Sequence, residues 1–137
     1  MNFSVLMLAD HATVADGLLY VNGGCLNNIA RPAFPAPLGA MLAAAITVPA
    51  ESINKPINFT LSMHAVNGEE SIFRIDAEIV AGLKEGVERL PYGNAFVVDL
   101  RPAPVPAPGS YVVEARVGEI AQHVYFTAIE LQSEDKA

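Results

Sequence analysis

Residues 110–131 do most to limit what this chain can fold into. Tyr111, Val113, Ala115 and Val117 fall on one parity, and Val112, Glu114 and Arg116 on the other. That period of two belongs to a half-buried β-strand, whose successive side chains point to opposite faces. Gly118 lets the chain reverse, and residues 120–131 return with Val124, Phe126 and Ala128 on one face. Tyr125, Thr127 and Ile129 take the other face. Both faces of the return are fairly apolar, so it should lie centrally in a sheet or have one face covered by a partner.

The same punctuation runs through the rest of the chain. Residues 2–9 read as a first strand ending at a polar corner, Asp10-His11, and Asp16-Gly17 marks a turn into a second strand closed by Gly23-Gly24. Residues 27–37 carry Pro32, Pro35 and Pro37 and are expected to be loop or extended edge. Residues 38–48 fit helical spacing and strand alternation equally. The β-branched end Ile46-Thr47-Val48 and the neighbouring β-segments favour strand. A strand over residues 57–65, the hairpin pair Asn67-Gly68 and a return over 72–80 follow. Residues 82–94 read as irregular with room for one helical turn, 95–100 as a short strand, and 102–108 as a proline-rich connector. Short strands at roughly ten-residue spacing predict an all-β chain, a single antiparallel sandwich domain of about eight strands over residues 1–137.

Leu8-Ala9-Asp10-His11-Ala12, Val14, Asp16-Gly17-Leu18-Leu19-Tyr20-Val21 and Gly23-Gly24 resemble the opening of a family of small uncharacterised bacterial and phage-encoded domains. Pro108-Gly109-Ser110-Tyr111 and the final hairpin are similar to that family's ending. The resemblance implies an immunoglobulin-like β-sandwich and carries no established activity or site. The chain departs from the pattern over residues 82–92, which are less proline-rich.

Charge narrows the partners. Eight Lys+Arg stand against fifteen Asp+Glu, a net charge of -7. An acidic chain without a basic stripe cannot bind phosphates by counterion release, so neither nucleic acid nor an anionic membrane is an expected partner. Charged residues make up 17% of the chain against 52% hydrophobic, which leaves the surface short of solvating groups. Part of that surface should therefore be covered by another subunit. No basic leader precedes the apolar run of residues 5–9, and no run reaches the ~20 apolar residues of a membrane span, so a cytoplasmic location, or a particle assembled there, is expected. Asn58-Phe59-Thr60 matches a glycosylation sequon, which carries no weight without secretion.

Candidates for chemistry are few. Asp10, His11 and Asp16 form the densest group of carboxylate and imidazole ligands, with His64 or His123 as a possible third contribution to a divalent metal. Short acidic side chains also bond backbone amides at turns, and this spacing matches no metal motif. Ser110 lacks the strand-to-helix elbow of a hydrolase nucleophile, so no catalytic triad is expected. Cys25 should be a small buried hydrophobe, with Arg31 the nearest cation in sequence. Glu69-Glu70 and Glu85 with Glu88 read as solvated surface rather than a glycosidase pair. Pro32-Ala33-Phe34-Pro35 is a minimal Pro-x-x-Pro, read as a stiff loop guarding an edge.

The expectation is thus a non-enzymatic module without cofactor. It acts on itself or another protein, as a homo-oligomer or as an accessory part of a larger, phage-related assembly. Phe34, Leu38, Tyr125 and Ile129 are the expected interface residues. The alternative is a small-molecule or metal-binding domain built on the Asp10-His11-Asp16 corner.

Overall fold

The computed structural model describes residues 1–82 and 92–132, and the only helical turn among them is a 3-10 turn at Ala50–Ser52. The strands are β1 (Asn2–Ala15), β2 (Leu18–Gly24), β3 (Asn28–Arg31), β4 (Ala36–Pro37), β5 (Met41–Val48), β6 (Pro56–Ala65), β7 (Phe73–Val80), β8 (Tyr92–Asp99), β9 (Pro104–Val105), β10 (Gly109–Val117) and β11 (Ile120–Glu130). They form a four-stranded sheet, β2-β1-β5-β8, and a five-stranded sheet, β3-β11-β10-β6-β7, packed as a β-sandwich. The short pair β4-β9 stands beside them. All pairings are antiparallel except β3 with β11. No described helix is long and apolar enough to cross a membrane.

One core lies between the sheets. Leu8, Leu42, Ile46 and Val48 from the smaller sheet meet Leu61, Met63, Val113, Val117 and Phe126 from the larger. Phe59 on β6 meets Phe96 on β8 edge-on, ring centroids 5.1 Å apart. This is the favoured approach of two ring quadrupoles. β10 contributes the parity expected of it, since Tyr111, Val113, Ala115 and Val117 are all buried.

Several local expectations need correction. The described residues contain eleven strands, the surplus over about eight being β3 and the two-residue β4 and β9, in or beside proline-rich stretches where a few backbone bonds suffice to make a ladder. β1 runs straight through Asp10 and His11, because pairing with β2 at positions 9–15 continues it after β5 ends. The strand expected over residues 38–48 starts at Met41. Met41 and Ala43, on the parity opposite Leu42 and Ile46, are buried as well, which is why the apolar pattern there had no single period. Asn67-Gly68 lies in a longer loop, residues 66–72, rather than in a two-residue hairpin. The helical turn foreseen within residues 82–94 falls largely on 83–91, outside the described residues, with Glu85 and Glu88.

Two turns follow directly from residue type. Asp16 (φ 53) and Gly17 (φ 76) both sit in the left-handed region, as the two-residue turn matching strand twist requires. Gly39 (φ 73) has a second reason to be glycine. A Cβ there would lie 2.6 Å from the Arg31 guanidinium. That guanidinium donates to the carbonyls of Leu38 (2.7 Å), Ala30 (3.0 Å) and Pro37 (3.3 Å) and so clasps the loop that leads from β3 to β5.

Tyr111 anchors the entry to β10. Its hydroxyl donates to the Ala107 carbonyl at 2.5 Å and accepts from the Ala107 amide at 3.3 Å, while its ring stacks on Phe126, centroids 5.2 Å apart. At the end of β8, the Arg101 guanidinium grips both oxygens of Asp99, at 2.9 and 2.8 Å, and the Arg101 amide adds a third bond at 3.0 Å. These hydrogen bonds pull the Asp99 carboxyl from 3.8 down to about 2.

Two outcomes follow. Tyr111→Phe keeps the stack, loses the bonds to Ala107 and should lower stability by about 1 kcal/mol in denaturant titration. Asp99 has its pKa depressed in the folded state, so its contribution is present above 3.8 and lost as pH falls through about 2. Asp99→Asn should therefore flatten the dependence of unfolding midpoint on pH across that window.

Candidate interaction surface

The register of the five-stranded sheet fixes what faces outward. Across its outer face, Arg74 of β7, Ser62 of β6, Glu114 of β10 and His123 of β11 lie in one row. Asp76, Thr60, Arg116 and Ala121 make the next row. These groups satisfy one another. Arg74 bonds Asp76 at 3.2 Å, the Thr60 hydroxyl donates to Asp76 at 3.0 Å, and His123 Nε2 stands 2.9 Å from a Glu114 oxygen. The Arg74 and Thr60 bonds draw the Asp76 carboxyl below its usual value. This part of the face is solvated and internally paired.

Towards β3 the face changes character. The row His64, Val112 and Tyr125 leads to Thr127 and Ile129, and the charges stop. Tyr125 is 60% exposed and Ile129 49%, with Leu131 also exposed beyond them. The Tyr125 ring stacks on His123 at 6.5 Å. A hollow of about 640 Å³ opens here, lined by Asn27, Asn28, Ser110, Tyr125, Thr127 and Ile129 among others. It presents amides and hydroxyls around one aromatic ring and one aliphatic chain, a surface able to form hydrogen bonds and bury apolar area together.

Of the expected interface residues, Tyr125 and Ile129 lie together on this outer face. Leu38 does not. It is 0% exposed and sits in the core, because its amide bonds the Ala103 carbonyl at 2.8 Å and turns its side chain inward ahead of β5. Phe34 is half-buried and packs against the core. Within Pro32–Pro35 only Phe34 packs on the core, and Pro32, Ala33 and Pro35 are exposed.

The proposed ligand corner separates. Asp10 and His11 are neighbours on β1 and point to opposite faces, and Asp16 stands at the tip of the β1-β2 hairpin. Six residues of extended strand set Asp10 and Asp16 about 20 Å apart. His64 and His123 belong to the other sheet. Among the described residues, no three His, Cys, Asp or Glu side chains are grouped to hold a metal ion. Cys25, expected to be buried, is exposed at a left-handed position (φ 57) where the chain leaves β2, and Arg31 is engaged with its own loop. The Ser110 hydroxyl lies 3.4 Å from that of Thr127, and His123 is paired with Glu114. Glu69 and Glu70 are exposed.

Two features of interest escaped sequence reading. One is the Tyr111 hydroxyl contact, for which the proline-rich approach through Ala107 was the available signal. The other is β7, whose outer edge pairs with no described strand.

Neither a curated protein nor a solved structure matches the chain. A family model, DUF6941, matches residues 4–127, which takes in strands of both sheets and Tyr125 but stops short of Ile129 and Leu131. The chain belongs to DUF6941, a family of unknown function.

Proposed function

We propose that this chain is a non-enzymatic, immunoglobulin-like association module, acting as a homo-oligomer or as an accessory part of a larger assembly. The observation that carries this reading is the exposed stripe of Tyr125, Ile129 and Leu131 on a sheet face whose neighbouring polar rows, Arg74 with Asp76 and His123 with Glu114, bond one another. An aromatic anchor beside aliphatic and hydroxyl groups is the composition of protein-binding surfaces.

Three features support the immunoglobulin-like part. Two mainly antiparallel sheets face one another, an early strand (β3) pairs in parallel with the last (β11), and a tyrosine at the start of the penultimate strand bonds the backbone four residues upstream. The non-enzymatic part is supported by the dispersal of Asp10, His11 and Asp16 and by the pairing of His123 with Glu114 rather than with a nucleophile. The likeness of the opening motif to bacterial and phage-encoded domains favours an assembly of phage origin.

Light scattering on a sizing column tests the self-association form. The protein should elute as an oligomer, and Tyr125→Ser/Ile129→Ser should lower its mass while its far-UV circular dichroism stays unchanged, since both side chains are exposed. A wild-type monomer at high concentration would remove the homo-oligomer reading.

A further inference from the structure

The edge of β7 is the other unsatisfied feature of this molecule. β7 pairs with β6 through eight consecutive residue pairs, without a register break. Its opposite edge offers unpaired backbone donors and acceptors among the described residues. Exposed edges are normally blunted by proline, charged side chains (lysine above all), bulges or brevity. Over Phe73–Val80 there is no proline, lysine or bulge, and its three charges, Arg74, Asp76 and Glu78, are of mixed sign and so can pair across a two-fold axis. The other outer strands differ. β3 has four residues and runs into Pro32, and β2 ends in Gly23-Gly24, while β8, also without proline or lysine, carries the single charge Asp99 and so has no charge pattern to select a register with its own copy.

From this edge we infer that β7 pairs antiparallel with β7 of a second copy about a two-fold axis at Ile75, joining two five-stranded sheets into one. The inference rests on the reading of the chain as an association module, but places the contact on a different surface. Charge selects the register. Side chains facing each other must share a sheet face, so only registers pairing like parity are allowed. With Ile75 opposite its own copy, Arg74 faces the second copy's Asp76 and Asp76 faces its Arg74. A shift one way sets Asp76 against Asp76, a further shift sets Asp76 against Glu78, and the opposite shift sets Arg74 against Arg74. Each of these places like charges directly opposite, which is destabilising. The Asp76-centred register also sets Arg74 against Glu78 twice, so the Ile75-centred one is favoured over it as the register that gains two opposite-charge pairs with no like pair.

Packing agrees with the charges. Ile75 is 38% exposed and lines, with Phe73, Leu100, Pro102, Ala103, Pro104 and, as the one charged residue, Asp99, a mainly apolar hollow of about 200 Å³ beside the start of the strand. In the selected register Ile75 is covered by its own copy, and bulky Phe73 stands opposite Ala77. The two-fold axis runs perpendicular to the joined sheet, so the smaller sheets lie on one side and the two apolar hollows adjoin.

Site-specific oxidation tests this register. In a Cys25→Ser background, Ile75→Cys should form a disulfide-linked dimer under mild oxidant, because directly opposed residues fall within disulfide reach. Ala77→Cys, displaced from the axis, should not. Equal cross-linking at both positions, or none at Ile75, would overturn the pairing. Arg74→Asp should weaken the dimer at least about tenfold by setting two aspartates together twice, and Arg74→Asp/Asp76→Arg should restore it. Failure of the double reversal to restore a folded protein's dimer would count against the register. Ile75→Cys should still cross-link when Tyr125→Ser/Ile129→Ser is added. Persistence there with no change in mass from the outer-face variant would refute the Tyr125 surface alone, and loss there would refute the edge pairing.

Discussion

The two sheets can bury their apolar sides only against each other, and most other features follow from that pressing together. Phe59 edge-on to Phe96, with Leu42, Ile46, Leu61 and Val113 around them, fixes which parity of every strand faces inward. Once that parity is set, a strand has no freedom over what it shows to solvent. Val124, Phe126 and Ala128 turn towards the core side, so Tyr125, Thr127 and Ile129 must point out. The surface available for recognition is therefore a by-product of core packing, with each exposed residue one step along the chain from a buried one.

The strongly alternating segments were legible for the same reason. Tyr111 to Val117 and its return could be assigned to faces without coordinates, and Asp16-Gly17 announced its turn through the backbone conformation that glycine tolerates. What stayed hidden was decided by partners distant in sequence. Asp10-His11 looks like a corner only if β1 is judged alone, and β2 carries it onward. Leu38 has the character of a surface-loop residue among prolines until the Ala103 carbonyl draws it in. Cys25 is small and apolar, yet the left-handed turn out of β2 leaves it outside. The exposure of Tyr125 and Ile129 was readable from parity, whereas the burial of Leu38 was not.

The segment with the most recognisable wording, residues 8–24, is explained by architecture. Asp16-Gly17 makes the reversal, and a Cβ on Gly23 would lie 2.8 Å from that of Asp10, so β2 can cross β1 at this point only with glycine. Leu8 and Ala9 are buried. Acidic and imidazole groups occur here because a projecting two-stranded ribbon needs solvated positions, which dissociates a distinctive motif from a distinctive chemistry.

β3 is held by β11 in parallel, joining Asn28–Arg31 to residues 127–130 across nearly the whole length of the chain. During synthesis on the ribosome, residues 28–31 must wait until about a hundred further residues have been added before their ladder can close. Long-range pairing of this kind is slow, since the loop must be closed before any contact rewards it. The larger sheet is consequently completed only once β11 has emerged, while the β1-β2 ribbon, whose partners are neighbours in sequence, can close long before.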